Sequence, residues 1–140
     1  MKLINKALLV ALLMSSSMVV EAGVVVVVGA SSSLGDLTQD QVADIFLGKT
    51  SKFPDGSQAV PIDQEDGADI RADFYKKVTG KSGSQLKSYW SKLIFSGKGQ
   101  PPKQVKGDAE VIQSLGANPG QIGYVAEEAV DGSVKVVYTP

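Results

Sequence analysis

The feature that most constrains the fold is a run of five valines, Val24 to Val28. β-branched side chains favour strands because rotation about their first side-chain bond is restricted. A strand in which every residue is apolar has both faces buried, as in the centre of an α/β sheet. The run therefore predicts a central strand in a layered α/β domain.

The residues before this run have the layout of a secretory signal peptide. Lys2 and Lys6 precede an apolar stretch, ALLVALLM, and Val20-Glu21-Ala22 puts small residues where a signal peptidase reads. The stretch is shorter than the roughly 20 apolar residues that span a bilayer. We predict a cleaved signal peptide at 1–22, one domain at 23–140 and a periplasmic location; a buried N-terminal helix is the alternative.

Composition narrows the possible functions. The chain contains no cysteine and no histidine, which removes disulfides, a lipid-acceptor thiol, the usual zinc ligands and the usual general base. We therefore expect no enzyme, no metal and no cofactor, and no membrane anchor after cleavage. The net charge is −1, and this balance argues against nucleic acid and against an anionic membrane surface as partners.

Helices are indicated by capping signals followed by apolar residues at helical spacing. Thr38 with Gln41, and Ser82 with Gln85, are capping boxes. A helix is also expected from about Asp69 to Thr79, and a short one capped by Asp108. The strongest apolar periodicity follows Ser82, at Leu86, Tyr89, Trp90, Leu93 and Ile94.

Further strands are expected at 59–62, 122–125 and 134–138. Pro61 should confine the first of these to an edge or an end, because proline lacks the N–H that a sheet ladder uses. The predicted order is strand, helix, strand, three helices, strand, strand, which is an α/β layer fold.

Two tempting motifs have plainer explanations. Gly29 to Gly35 follows the valine strand as the glycine turn of a dinucleotide-binding unit would, but Ser33 stands where a glycine is needed. An acidic cluster lies at the predicted turn and helix start, where negative charge suits the helix dipole; it comprises Asp63, Glu65, Asp66, Asp69 and Asp73.

A series of segments between Leu37 and Val125 resembles the phosphate-type periplasmic substrate-binding proteins of ABC transporters. The segments, in order, are IFLGK at 45–49, FPDG at 53–56, Pro61-Ile62, Arg71-x-x-Phe74-Tyr75, Tyr89-Trp90 with FSGKG at 95–99, Pro101-Pro102, and PGQIGYV at 119–125. The resemblance implies one lobe of a type II periplasmic-binding-protein fold, with a mixed sheet flanked by helices. Full-size members have two such lobes with the ligand between them.

The resemblance also implies a ligand site. The loop that binds the oxyanion in the family corresponds here to Asp66, Gly67, Ala68, Asp69, Ile70 and Arg71. Ala68 and Ile70 stand at the hydroxyl positions, and Asp69 is expected to cap the helix and compete with an anion for its N–H groups. The expected ligand is phosphate or another oxyanion, with a homodimer completing the cleft. A lobe without a ligand that contacts an envelope protein is the alternative.

Overall fold

The computed structural model describes residues 23–140, so the predicted signal peptide at 1–22 lies outside the described residues. The strands are β1 Val24–Gly29, β2 Val60–Gln64, β3 Lys103–Val105, β4 Gln121–Ala126 and β5 Val134–Tyr138. The helices are α1 Gln39–Phe46, α2 Asp69–Thr79, α3 Gly83–Phe95 and α4 Gly107–Ala117, with a short 3-10 helix at Glu127–Ala129. All predicted strands are present, and β3 is an additional one.

The five strands form one mixed sheet in the order β3-β2-β4-β1-β5. β2 is parallel to β3 and β4, whereas β1 is antiparallel to β4 and β5. The valine run is paired on both edges and buried on both faces. Val24, Val26 and Val28 belong to one apolar cluster, and Val25 and Val27 to the other. The α/β prediction and the central strand are confirmed.

Local signals set the helix boundaries. The capping boxes at Thr38 and Ser82 both form. Gly80 caps the C-terminal end of α2, and its φ of 71° is the left-handed conformation expected after a helix. Ile94 departs from the predicted apolar face of α3. This residue is 55 % exposed.

Pro61 lies near the start of β2, which is the strand end that the prediction allowed, whereas the other alternative, an edge strand, is wrong. β2 lies between β3 and β4. The proline is tolerated because the two neighbours pair with different parts of the strand: β4 pairs with Val60 and Pro61, and β3 only from Ile62 onward. Pro61 therefore has a ladder partner on one side alone.

The turn after β1 has a packing role. No helix follows it directly, because α1 begins only at Gln39. A Cβ atom added to Gly29 would overlap the main-chain oxygen of Leu115, near the end of α4. The glycine permits this close approach of two backbones, and a pyrophosphate is not needed to explain it.

An aromatic cluster joins α1 and α2 to the sheet. The rings of Phe74 and Tyr124 stack with centroids 4.0 Å apart, and Phe46 meets Phe74 edge-on at 4.8 Å. This packing fixes the orientation of Tyr124 in β4. Within residues 23–140, no helix has the length and apolar character needed to cross a membrane.

Candidate functional site

The loop between β2 and α2 leaves the start of α2 uncapped. Gly67 makes the turn with a φ of 89°, a conformation that disfavours residues with a Cβ. The N-cap residue of α2 is Ala68, which has no side chain able to cap. Among the described residues, the N–H groups of Asp69 and Ile70 have no acceptor. The prediction that Asp69 caps the helix is wrong, since Asp69 is already the first helical residue.

Asp69, which carries one of these N–H groups, lines a cavity of ≈ 170 Å³ between the first turns of α2 and α3. Five of the six predicted site residues line the cavity: Asp66, Gly67, Ala68, Asp69 and Arg71. Lys81 and Gly83 close it from the side of α3. Ile70 does not line it; its side chain packs against the main apolar cluster.

Arg71 is held in the cavity wall by two carboxylates. Its Nε lies 3.4 Å from Asp63 Oδ2, and its Nη1 lies 3.3 Å from Asp66 Oδ1. The guanidinium also lies over the ring of Tyr75, with Cζ 5.2 Å from the ring centroid. The Arg71 side chain is 13 % exposed, so it reaches the cavity while remaining fixed.

Asp63 is the centre of a buried hydrogen-bond network. Its side chain is 1 % exposed. Oδ2 accepts a hydrogen bond from the Tyr75 hydroxyl at 2.7 Å, and Oδ1 accepts one from the Tyr124 hydroxyl and one from Gln64 N at 2.8 Å. A buried carboxyl group is stable only when its oxygens are satisfied in this way. The network ties α2, β2 and β4 together beneath the cavity.

The two tyrosines are donors throughout the physiological range. Burial, reinforced by the negative charge of Asp63, raises the pKa of both Tyr75 and Tyr124 well above the usual value. Both hydroxyls therefore remain protonated and donate to Asp63 at neutral pH.

A second polar link joins α4 to the same end of the sheet. Gln64 Nε2 donates to Asp108 Oδ1 at 2.8 Å, and the N–H of Ala126 donates to Asp108 Oδ2 at 3.3 Å. Asp108 was predicted to cap α4. The structure contradicts this, because the N-cap is Lys106, without a side-chain cap, and Asp108 lies inside the first turn.

The structure divides the acidic cluster into residues with different roles. Asp73 pairs with Lys77 across one helical turn at 3.1 Å, whereas Glu65, Asp66 and Asp69 are exposed. Sequence reasoning assigned Asp63 to a turn, although it is the buried member. The signal available was its place next to last in a strand parallel to β4, because the carboxyl ends of parallel strands are where α/β proteins collect polar side chains.

Comparison with solved structures shows the same architecture in phosphate transport receptors. The chain matches a phosphate ABC transporter substrate-binding protein from Clostridium perfringens, solved with bound phosphate, with a TM-score of 0.63 and 23% identity. It also matches an ABC-type phosphate transport receptor from Vibrio cholerae (0.64, 18%) and PstS from Borrelia burgdorferi (0.62, 12%). The chain has the fold of one lobe of these receptors.

The extent of the match supports the single-lobe description. Each alignment covers 82% of this chain but only 44%, 45% and 46% of the respective receptor, so the chain spans less than half their length. No protein-family model and no curated protein sequence matches the chain. At these identities the likeness establishes the fold, and the ligand has to be argued from the residues.

Proposed function

We propose that this protein is a periplasmic solute-binding lobe that binds a small oxyanion, such as phosphate, at the loop from Asp66 to Arg71. The observation that carries the proposal is the uncapped start of α2 at the rim of a cavity. Two free N–H groups and the positive end of a helix dipole attract an anion. Arg71 and Lys81 supply positive charge in the same cavity.

The acidic residues of the loop are expected to limit affinity. Asp69 adds a negative charge at the cavity, and Asp66 already occupies one edge of the Arg71 guanidinium. The cavity therefore contains as many carboxylates as cations. We expect weak binding by the lobe alone, with selectivity for compact oxyanions over larger carboxylates.

We further propose that a second copy of the chain completes the cleft, with the two loops face to face. The receptors of the same fold are more than twice as long as the matched region. Analytical ultracentrifugation tests this proposal, because a strict monomer at high protein concentration, with and without phosphate, rules out the homodimer.

Isothermal titration calorimetry of residues 23–140 with phosphate, and with sulfate for comparison, tests the site. Asp69→Asn removes one charge without changing shape and should tighten binding by roughly fivefold, about 1 kcal/mol. Lys81→Gln should weaken binding by a similar factor. Lys49→Gln makes the same charge change outside the cavity and is the control. Absence of heat from both the unmodified protein and the Asp69→Asn variant, each shown to be folded, contradicts oxyanion binding.

A protein-interaction module is the second candidate, and a specific observation favours it. Both carboxylate partners of Arg71 belong to this chain, so its guanidinium is satisfied without a ligand. A lobe that keeps the fold but not the anion would use its surface to contact another envelope protein. Failure of the combined variant Ala68→Ser, Asp69→Gly and Ile70→Thr to bind phosphate would favour this second function.

A further inference from the structure

The near-zero net charge hides a strong segregation along the chain. Residues 80–107 contain six lysines and no Asp or Glu, whereas the rest of residues 23–140 contains six basic and fourteen acidic residues. The argument against nucleic acid and against an anionic membrane surface as partners therefore does not hold for this segment. It rested on the overall balance, which does not report how charge is distributed.

The lysines of this segment are available to a partner. They lie directly before α3, on α3, on the loop that follows it, on the edge strand β3 and directly before α4. Within the described part of the chain none of them forms an ion pair. All but Lys81 are exposed. A groove of ≈ 400 Å³ between α3 and the segment from Pro101 to Gln104 places Lys87 and Ile94 beside β3.

An exposed apolar tip stands among these lysines. Phe95, the last residue of α3, is 96 % exposed, and the preceding Ile94 is 55 % exposed. Lys92 lies one helical turn before the tip, and Lys98 follows it after the left-handed turn at Gly97. Lysine at a helix end suits the dipole, and lysine on an edge strand discourages aggregation. Neither effect explains a fully exposed phenylalanine.

We propose that this basic tip, defined as Lys92, Ile94, Phe95 and Lys98, docks on an anionic phospholipid membrane. Apolar side chains enter the boundary between headgroups and acyl chains, while flexible lysines remain at the lipid phosphates. Docking of this kind is reversible and needs no lipid anchor.

The composition of the surface favours a membrane over other anionic partners. Protein interfaces are enriched in arginine and depleted of lysine, and residues 80–107 contain no arginine. Single-stranded nucleic acids are bound by several aromatic side chains on which successive bases stack, whereas Phe95 is the one large aromatic residue exposed on the described part of the chain.

Cosedimentation of residues 23–140 with lipid vesicles tests the proposal. Residues 1–22 are omitted because their apolar stretch would itself bind lipid. We expect binding to vesicles of equimolar phosphatidylcholine and phosphatidylglycerol, and none to phosphatidylcholine alone. Raising the salt concentration from about 0.1 M to about 1 M should abolish binding, because the screening length falls from ~10 Å to ~3 Å.

Variants of the basic tip separate the electrostatic contribution of its lysines from the apolar contribution of Phe95. Lys92→Gln with Lys98→Gln should weaken binding by about 25-fold, or roughly fivefold per lysine. The matched pair Lys52→Gln with Lys76→Gln makes the same charge change outside the segment and should weaken it less than about twofold. Phe95→Ser should weaken binding by about tenfold or more, because the apolar anchor is lost.

Insertion is measured directly with Phe95→Trp, whose additional fluorescence should shift to shorter wavelength on anionic vesicles and be quenched by brominated acyl chains. Equal binding to both vesicle types, no binding to either, or equal effects of the two lysine pairs would overturn the proposal. Binding without a fluorescence shift would also overturn it. Tighter binding to a single-stranded oligonucleotide, with the same sensitivity to Phe95→Ser, would assign the surface to nucleic acid instead.

Discussion

Removal of the Asp63 carboxyl group is the sharpest test of how the candidate site is held. In Asp63→Ala, the hydroxyls of Tyr75 and Tyr124 lose their buried acceptor, and Arg71 loses one of its two carboxylates. The N–H of Gln64 is affected less, because it also lies 3.2 Å from the Tyr124 hydroxyl oxygen. The variant therefore removes the acceptor of two buried donors and one ion pair.

The magnitude follows from those losses. A buried donor left without an acceptor costs about 1–3 kcal/mol, so two hydroxyls cost about 2–6 kcal/mol. Domains have a total free energy of unfolding of about 5–15 kcal/mol. We expect Asp63→Ala to lose about 4 kcal/mol. Asp63→Asn, which keeps the shape and one acceptor oxygen, should lose about 1–2 kcal/mol.

Urea denaturation followed by far-ultraviolet circular dichroism measures both variants. With a slope of about 1–3 kcal/mol/M, a loss of 4 kcal/mol lowers the midpoint by roughly 2 M. Repeating Asp63→Ala in a Tyr75→Phe, Tyr124→Phe background should give a smaller loss, because the orphaned hydroxyls are absent. The two losses should differ by at least about 1 kcal/mol.

Two results would refute this reasoning. A loss below about 1 kcal/mol for Asp63→Ala would mean that water replaces the carboxyl group without cost. An identical loss in the double-phenylalanine background would mean that the tyrosine hydroxyls are not coupled to Asp63, and the site would then rest on ring packing alone.

Two further predictions concern alkaline pH and the turn after β1. The folded state raises the pKa of Tyr75 and Tyr124. The contribution of their protonated hydroxyls to the free energy of unfolding is therefore complete below the unfolded pKa of about 10 and is lost as the pH rises above it. Above that pH, the free energy of unfolding should fall by about 1.4 kcal/mol per pH unit for each tyrosine. Urea titrations between about pH 9 and 11 should show this slope reduced in Tyr75→Phe and in Tyr124→Phe, and an unchanged slope in both variants contradicts the assignment. Gly29→Ala should lower the free energy of unfolding by about 1–3 kcal/mol, because its Cβ overlaps main-chain atoms near the end of α4. Gly35→Ala, with open space around the added Cβ, should change the free energy of unfolding by less than about 0.5 kcal/mol. Equal melting temperatures of the two variants would exclude the close approach of Gly29 to the main chain of Leu115.

The parts of the fold that could be predicted from the sequence are those decided locally. Thr38 and Ser82 reveal helix starts because the capping side chain and its partner lie within one turn. The valine run indicates burial on both faces of its strand, because every residue in it is apolar. In contrast, β3 has no apolar alternation, and it forms a strand because the chain between α3 and α4 passes beside β2.

The candidate site depends on contacts that no short segment contains. Asp63 was read as a turn residue, since its buried state requires hydroxyls brought from α2 and β4. Asp69 was read as a cap because a single residue decides where α2 begins. The resemblance to phosphate receptors predicts a site at the loop between β2 and α2, and this stays a prediction. The partners of Arg71 are visible only in the three-dimensional structure.

The position of β1 in the sheet also sets the order in which the domain can assemble. Val24 pairs with Ala126, and Val26 pairs with Tyr138. The strand nearest the start of the described chain can therefore join the sheet only when the last two strands are available. Pairing over such separations is slow, because a long loop must close before any contact forms. Until then, five consecutive valines with high aggregation propensity are exposed to other chains. A polypeptide emerging N-terminus first therefore exposes the valine run until β4 and β5 are available to pair with it, and a longer interval increases the risk of aggregation.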